Sequence, residues 1–145
     1  MSGIMTDGFS TTIEFTSGVS GITLSTVLAE KDVQPPGFDA GGENDTSTMR
    51  NTAWRTKQPK SLKTLTDVNL TCAYDPAVLT EMEDMVGVNQ EITITFPDSQ
   101  TWTFWGWINT FTPNAVAEGA QPECTIGIMV GNQNDSGVET GPVLA

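Results

Sequence analysis

The segment that decides the fold is EITITFPDSQTWTFWGWINTF, residues 91–111. Its first part alternates between apolar and polar side chains, with Ile92, Ile94 and Phe96 separated by threonines. A Pro-Asp-Ser break at residues 97–99 ends this run, and a second extended run follows over residues 101–108. Alternation of this kind on both sides of a turn signal predicts a β-hairpin.

The second strand of this hairpin carries large apolar side chains on both faces. The chain contains six Phe, four Trp and one Tyr, and six of these aromatic residues lie within residues 91–111. Because successive side chains of a strand point to opposite faces, Trp102 and Phe104 share one face, and Trp105 and Trp107 share the other. An isolated hairpin is only marginally stable. We therefore expect either a second sheet on one side and a helix on the other, or a face covered by another copy of the protein.

The remaining sequence predicts further strands and one helix. Alternating or β-branched stretches predict strands at residues 11–17, 21–33, 61–74 and 122–130. Asp75 and Pro76 predict a helix start, since Asp caps helix N-termini and Pro is favoured at the first helical position. Gly87 is placed to end this helix. Its apolar stripe comprises Val78, Leu79, Met82, Met85 and Val86.

These elements predict a mainly β fold class, a β-sandwich or barrel of about six to eight strands with one flanking α-helix. We expect residues 1–145 to form a single domain with two segments that lack periodicity, a long arm over about residues 34–60 and a C-terminal arm over about residues 131–145. The long arm holds Phe38, Met49 and Trp54 among polar residues. Large apolar side chains on a polar arm indicate that it docks on another surface.

Charge is distributed unevenly along the chain. There are 6 Lys and Arg residues against 18 Asp and Glu, and the formal net charge of −12 opposes nucleic-acid binding. Residues 64–145 contain no Lys or Arg. The basic residues within residues 50–63 either neutralise carboxylates of their own molecule or contact the acidic surface of another copy, with Trp54 and Arg55 as anchors. They are Arg50, Arg55, Lys57, Lys60 and Lys63.

The sequence offers little catalytic chemistry. It has no histidine and no phosphate-binding loop, and the acids near Asp39, Glu43 and Asp45 do not match the calcium-loop pattern. Cys72 and Cys124 have apolar neighbours and are predicted to be buried free thiols, with a disulfide as the alternative. No secretory signal or membrane-spanning run is present, so we expect a protein of the reducing cytoplasm. Because no nucleophile and base can be named and no metal-ligand pattern is present, we expect no enzymatic activity, metal or cofactor.

Four motifs resemble the major tail tube proteins of bacteriophages with long non-contractile tails. They are TAWRTK at residues 52–57, AYDP at 73–76, ITFPD at 94–98 and TFWGW at 103–107. The likeness covers roughly residues 41–141. It implies a β-sandwich with a flanking helix, similar to the tubes of type VI secretion, assembled as hexameric rings that stack into the tube through which the genome leaves the capsid.

The resemblance also implies partners and a location. The chain is expected to bind itself, the tail tip and tail terminator proteins, and the tape measure protein in the lumen. DNA passes transiently without specific binding, and no catalytic residue, cofactor or membrane is involved. The expected location is the tail of the virion, after assembly in the host cytoplasm.

Two sets of candidate residues follow. The subunit-interface candidates are Phe38, Met49, Arg50, Trp54, Arg55, Lys57, Lys60 and Lys63. The lumen-lining candidates are Asp67, Asn69, Thr71, Glu91, Thr93 and Thr95, because they occupy the polar faces of two predicted strands. The alternative function is a β-sandwich binding module, for carbohydrate or capsid decoration, with Trp105 and Trp107 as a stacking platform.

Overall fold

The computed structural model describes residues 5–16 and 28–144. Within these residues one α-helix accompanies eleven strands, most of them in a single sheet. The elements are β1 (Thr12–Thr16), β2 (Ala29–Gln34), β3 (Phe38–Asp39), β4 (Glu43–Asp45), β5 (Lys57–Pro59), β6 (Thr64–Leu65), β7 (Val68–Ala73), α1 (Pro76–Met85), β8 (Gln90–Thr95), β9 (Thr101–Pro113), β10 (Glu123–Val130) and β11 (Val143–Leu144). The predicted strand at 21–33 falls partly outside the described residues, and β2 is its described part.

The predicted hairpin is confirmed as β8 and β9, and β9 lies at the centre of the sheet. The strand order is β1-β8-β9-β10-β7-β2, all neighbours are antiparallel, and β11 pairs with β9 away from this path. Along its first half β9 lies between β8 and β11, and along its second half it pairs with β10. With 13 residues, β9 is long enough to pair with three strands, β8, β10 and β11.

The main sheet curls without closing. Its two end strands, β1 and β2, approach each other, and the Ile13 backbone N–H donates to a carboxylate oxygen of Glu30 at 3.3 Å. The predicted mainly β fold with one flanking helix is therefore confirmed, in the form of an open, curled sheet. Two short pairs, β3 with β6 and β4 with β5, lie outside the main sheet.

The core lies on the concave face of this sheet. Alternate residues of the long strands are fully buried there, including Ile92, Phe104 and Ile126. Met82 and Met85 of α1 complete the core, whereas Leu79 and Val86 of the predicted apolar stripe are 46% and 41% exposed. Of the described side chains of the predicted stripe, Met82 and Met85 therefore face the core and Leu79 and Val86 lie at its margin. The helix ends at Met85, and Gly87 follows it with a positive φ of 83°, which suits glycine, and donates its N–H to the carbonyl oxygen of Ile108.

The two faces of β9 are as predicted, but their covering is different. Phe104 is buried and Trp102 packs against the core, while Trp105 and Trp107 lie on the opposite, half-buried face. The expectation of a second sheet on one side and a helix on the other is wrong. The concave side of β9 faces the core, which the curled sheet and α1 enclose. On the convex side, the turn at Gly131 lies against the ring of Trp107.

Both arms contain short strand pairings that the sequence did not predict. The long arm folds into a ribbon of β4 and β5, and its residues 43–45 and 57–59 are all exposed. The C-terminal arm returns to the body, where the backbone N–H groups of Gly131 and Asn132 donate to the carbonyl oxygen of Trp105 and β11 pairs with β9. Two-residue and three-residue pairings are too short to give a recognisable period, so the sequence did not reveal them.

Cys72 and Cys124 are free and buried, as predicted, and lie opposite each other on β7 and β10. Removal from water raises the pKa of the Cys72 thiol to about 12, with the neighbouring Cys124 adding to the effect, and burial also raises the pKa of Cys124. The neutral thiol is therefore favoured in the folded protein more than in the unfolded chain.

We expect this pair to make the fold sensitive to alkali. A pKa raised on folding stabilises the protein fully below the unfolded value, 9.0, and this contribution is lost as the pH rises toward 12. At 1.36 kcal/mol per pKa unit the loss approaches about 4 kcal/mol for Cys72. Urea denaturation between pH 8 and pH 12 measures it. Cys72→Val should have a shallower decline, and identical declines in both proteins would contradict the prediction.

Candidate assembly surfaces

The convex side of the sheet carries a polar surface, here called the threonine face. It arises because β7, β8 and β10 alternate, so that their apolar residues enter the core and their polar residues point outward. Directly opposed residues of neighbouring strands share a face, and the register therefore assigns its members. Its polar members are Thr12, Glu14, Asp32, Gln34, Asn69, Thr71, Glu91, Thr93, Thr95, Thr101, Thr103, Thr110, Thr112, Glu123 and Thr125.

Neighbouring side chains of the threonine face lie close together. The hydroxyls of Thr93 and Thr103 are 3.2 Å apart. A side chain added at Gly127 would meet the hydroxyl of Thr110 at 2.6 Å, and the amide oxygen of Asn69 lies just beyond. These short separations across strands show a continuous surface of hydroxyl, amide and carboxylate groups.

Among the described residues, one cation pairs with a carboxylate of this surface. Lys31 reaches it from β2, where its ammonium group lies 2.8 Å from a carboxylate oxygen of Glu123. The members of the threonine face contain carboxylates but no Lys or Arg. The face therefore presents hydroxyl groups and negative charge to anything outside it.

The lumen-lining candidates fall mainly on this face. Asn69 and Thr71 of β7 lie on it together with Glu91, Thr93 and Thr95 of β8, although β9 and β10 separate the two strands. Asp67 is exposed but precedes β7, outside the strand. The sequence reasoning missed the threonines of β1, β9 and β10, whose alternation with buried residues was the available signal.

One end of the threonine face is aromatic. Trp105 and Trp107 are half-buried there, and Met129 of β10 lies opposite Trp107 in the register. A small depression beside Trp107 is bordered by the polar residues Asn89, Gln133, Asn134 and Asp135. Trp105 and Trp107, which the alternative function uses as a stacking platform, are therefore a partly covered pair of rings.

The second surface is the arm ribbon, defined as residues 43–59. Its backbone is closed by a hydrogen bond from the Thr46 N–H to Thr56, and the Asn51 amide donates to the carbonyl oxygen of Trp54 at 2.7 Å. The side chain of Met49 is fully exposed, and that of Trp54 is 85% exposed. Large apolar groups so far out of the core make the arm ribbon a candidate contact surface.

Two of the basic interface candidates are paired within the ribbon. Arg55 donates to Asp45 at 2.9 Å, and Lys57 lies 3.0 Å from Glu43. Hydrogen bonds from the hydroxyl and backbone N–H of Ser47, and then from Arg55, lower the pKa of Asp45. The intramolecular alternative thus holds for these two residues. Among the described residues no carboxylate pairs with the other three, which are Arg50, Lys60 and Lys63.

Phe38 lies apart from the tip of the arm. Its ring is 63% exposed and contacts the ring of Trp102, with centroids 5.7 Å apart. The structure therefore does not bring Phe38 together with Met49 and Trp54, and Phe38 belongs to the base of the arm.

Reversing both paired cations, Arg55→Glu with Lys57→Glu, should open the ribbon without unfolding the domain. Each substitution places like charges on a two-stranded ribbon that is marginally stable by itself. Exposed ion pairs contribute about 0.2–1 kcal/mol each, so the free energy of global unfolding should change little. Hydrogen exchange at the Thr46 amide measures the opening. Adding Asp45→Arg and Glu43→Lys inverts both pairs and should restore protection, and unchanged exchange in the double variant would contradict the prediction.

The carboxylates of α1 differ in their surroundings. Glu83 and Asp84 are exposed, as expected for a solvated face, whereas one carboxylate oxygen of Glu81 is covered and has no hydrogen-bond partner among the described residues. The amide of Gln90 is likewise buried without a partner there. In the described part of the chain no group of three potential ligands is placed to hold a metal ion. No helix within it has the length and apolar character needed to cross a membrane.

Comparison with known proteins shows which solved structures have a similar fold. No family model and no curated protein matches the chain. Among solved structures, a chain of the anti-feeding prophage baseplate, determined with six-fold symmetry, matches with a TM-score of 0.69 at 9% identity, covering 100% of this chain and 97% of that one. A chain from the tail of an empty GTA particle, refined with C6 symmetry, matches with a TM-score of 0.59 at 12% identity, covering 92% of both chains. The protein therefore shares its fold with subunits of tail and baseplate assemblies.

Proposed function

We propose that this chain is the structural subunit of a bacteriophage tail tube, of the type found in long non-contractile tails. Six copies form a ring, and the rings stack into the conduit through which DNA leaves the capsid. The observation that carries the proposal is the threonine face, a polar surface across the main sheet whose members include no Lys or Arg and whose Glu123 is paired with Lys31. The fold shared with subunits of six-fold assemblies supports it.

The threonine face has the chemistry that the wall of a DNA conduit requires. Non-specific binding to DNA is supplied by Lys and Arg contacts to phosphates, and the members of this face provide none. Carboxylates such as Glu14 and Glu91 repel phosphates within a Debye length of about 8 Å. Threonine hydroxyls hold water at the surface. DNA would therefore pass a hydrated, like-charged wall without adhering.

The arm ribbon supplies the contact between copies. It holds the exposed Met49 and Trp54 together with Arg50, which pairs with no carboxylate among the described residues, and the chain carries 18 Asp and Glu residues against 6 Lys and Arg. A contact between two different patches is heterologous and generates rings or filaments. The partners that follow are further copies of the chain, the tail tip and tail terminator proteins, and a tape measure protein within the lumen, in a virion tail assembled in the host cytoplasm.

Electron microscopy of the purified protein over a concentration and salt series tests this function. The expected result is hollow tubes or rings with six-fold symmetry. A second variant tests the wall: Thr93→Lys with Thr103→Lys should still assemble, but its tubes should retain DNA at low salt. Monomers under every condition, also after mixing with tail-tip components, would overturn the proposal.

A carbohydrate-binding module is the second candidate. The observation that favours it is the half-buried pair Trp105 and Trp107 beside the polar depression at Asn89 and Asn134. Aromatic faces with nearby amides are suited to sugar rings. Titration of tryptophan fluorescence with oligosaccharides distinguishes the two functions, since a saturable change lost in Trp107→Ala would support the module.

A further inference from the structure

A groove lies where the two ends of the curled sheet fail to meet. It has a volume of about 550 Å³ and separates the N-terminal segment from β2, and we call it the N-terminal groove. The carboxylate of Glu30 lies within it and accepts the Ile13 backbone N–H at 3.3 Å. The Ile13 N–H of the end strand β1 is thus bonded to a side chain and not to the backbone of β2, and the two end strands do not pair at this point. The residues that decide its chemistry are Asp7, Phe9, Glu30, Asp32 and Val33.

The N-terminal groove combines negative charge with apolar surface. Asp7, Glu30 and Asp32 contribute carboxylates, and one oxygen of Asp7 accepts the Phe9 backbone N–H at 3.1 Å. Lys31 also borders the groove, but its ammonium group is paired with Glu123 on the threonine face. Phe9 is 81% exposed. The groove is therefore complementary to a ligand with an apolar group and a cation.

The tip of the arm ribbon has this composition. Met49 is fully exposed, Trp54 is 85% exposed, and Arg50 between them has no carboxylate partner among the described residues. Their exposure also shows that the tip does not occupy the groove of its own molecule. We propose that the N-terminal groove of one copy receives the arm tip of a second copy, with Arg50 against Asp32 and Trp54 against Phe9 and Val33. This inference rests on the proposed self-assembly and identifies the receptor for the arm.

A charge swap tests this contact. Asp32→Arg and Arg50→Asp should each raise the concentration required for assembly at least tenfold, roughly the effect of 1.4 kcal/mol per contact. The two substitutions together restore the opposite charges and should recover most of the loss. Glu118→Arg is the matched control, because Glu118 is exposed on a loop and does not line the groove. An unaffected Asp32→Arg protein, a double variant that is not rescued, or an equal loss in Glu118→Arg would each overturn the proposal.

Crosslinking separates this proposal from the proposed function. Full-length Asp32→Cys and Arg50→Cys proteins are mixed and treated with a short bis-maleimide, while the native Cys72 and Cys124 are buried. A covalent heterodimer is expected, in excess of that from Glu118→Cys with Arg50→Cys. Tubes without the specific crosslink would overturn the groove contact and leave the tube function standing. The crosslink without rings or tubes would support the contact and overturn the tube.

Discussion

Replacing Gly106 by alanine is expected to unfold the domain or destabilise it severely. Gly106 is buried in the middle of β9, and a Cβ atom there would overlap the carbonyl oxygen of Met129 and lie 3.2 Å from the Val130 Cα. These atoms belong to the backbone of β10, so no side chain can turn away to make room. The two central strands must separate, and overpacking of this kind costs about 3 kcal/mol or more.

Gly141 provides the matched control for this substitution. A Cβ atom at Gly141 meets nothing within 4 Å, so Gly141→Ala should leave the unfolding midpoint almost unchanged. Urea denaturation followed by tryptophan fluorescence compares the two variants with the parent protein. Domains are stable by about 5–15 kcal/mol, so a loss of the expected size will be measurable. A Gly106→Ala protein with the parental midpoint would show that β9 and β10 tolerate separation.

Replacing Trp54 by alanine is expected to abolish assembly while the domain stays folded. The ring is 85% exposed and contributes little to the core, so the unfolding midpoint should not change. Under the proposed function this ring is buried against a neighbouring copy, where a tryptophan anchor contributes at least about 2 kcal/mol. That is roughly a 30-fold loss at each contact. Every subunit of a ring makes the contact, so tubes should disappear at concentrations where the parent protein forms them.

The control for Trp54→Ala is Val116→Ala. Val116 is also an exposed apolar residue, on the loop between β9 and β10, but outside the arm. Sedimentation measures the assembled fraction of both variants. Trp54→Phe should retain part of the assembly because it keeps an aromatic anchor. If Trp54→Ala forms tubes normally, the arm tip makes no contribution to assembly. If it unfolds instead, Trp54 belongs to the core.

The sequence predicted the elements that depend on local signals. The alternation of β8, the break at Pro97 and the capping pair Asp75 and Pro76 each determine structure within a few residues. The return of β11 to β9 was not predicted, because its two residues join a strand about forty positions away. The arm ribbon was missed for a similar reason, since β4 and β5 contain only charged, amide and proline residues.

The candidate surfaces were predictable in part. Alternation assigned Asn69 and Thr93 to polar faces, but only the strand order shows that these faces form one surface across β9 and β10. The ion pairs within the arm ribbon could not be predicted from the sequence. Composition identified the basic stretch, whereas the assignment of Arg55 to Asp45 depends on the register of β4 and β5. The N-terminal groove was not predicted, because it exists only through the curvature of the whole sheet.

The short strand β11 has a practical consequence for handling the protein. Val143 and Leu144 pair with Thr103 and Trp102, on the side of β9 that β10 does not reach. Without them, this part of the central strand would present unpaired backbone groups to other molecules, the arrangement that promotes edge-to-edge aggregation. An affinity tag attached close to Leu144 would lie next to this pairing. A purification tag is therefore better separated from Leu144 by a flexible linker. Proteolysis that removes β11 would expose the backbone of β9 at Trp102 and Thr103 and would explain aggregation.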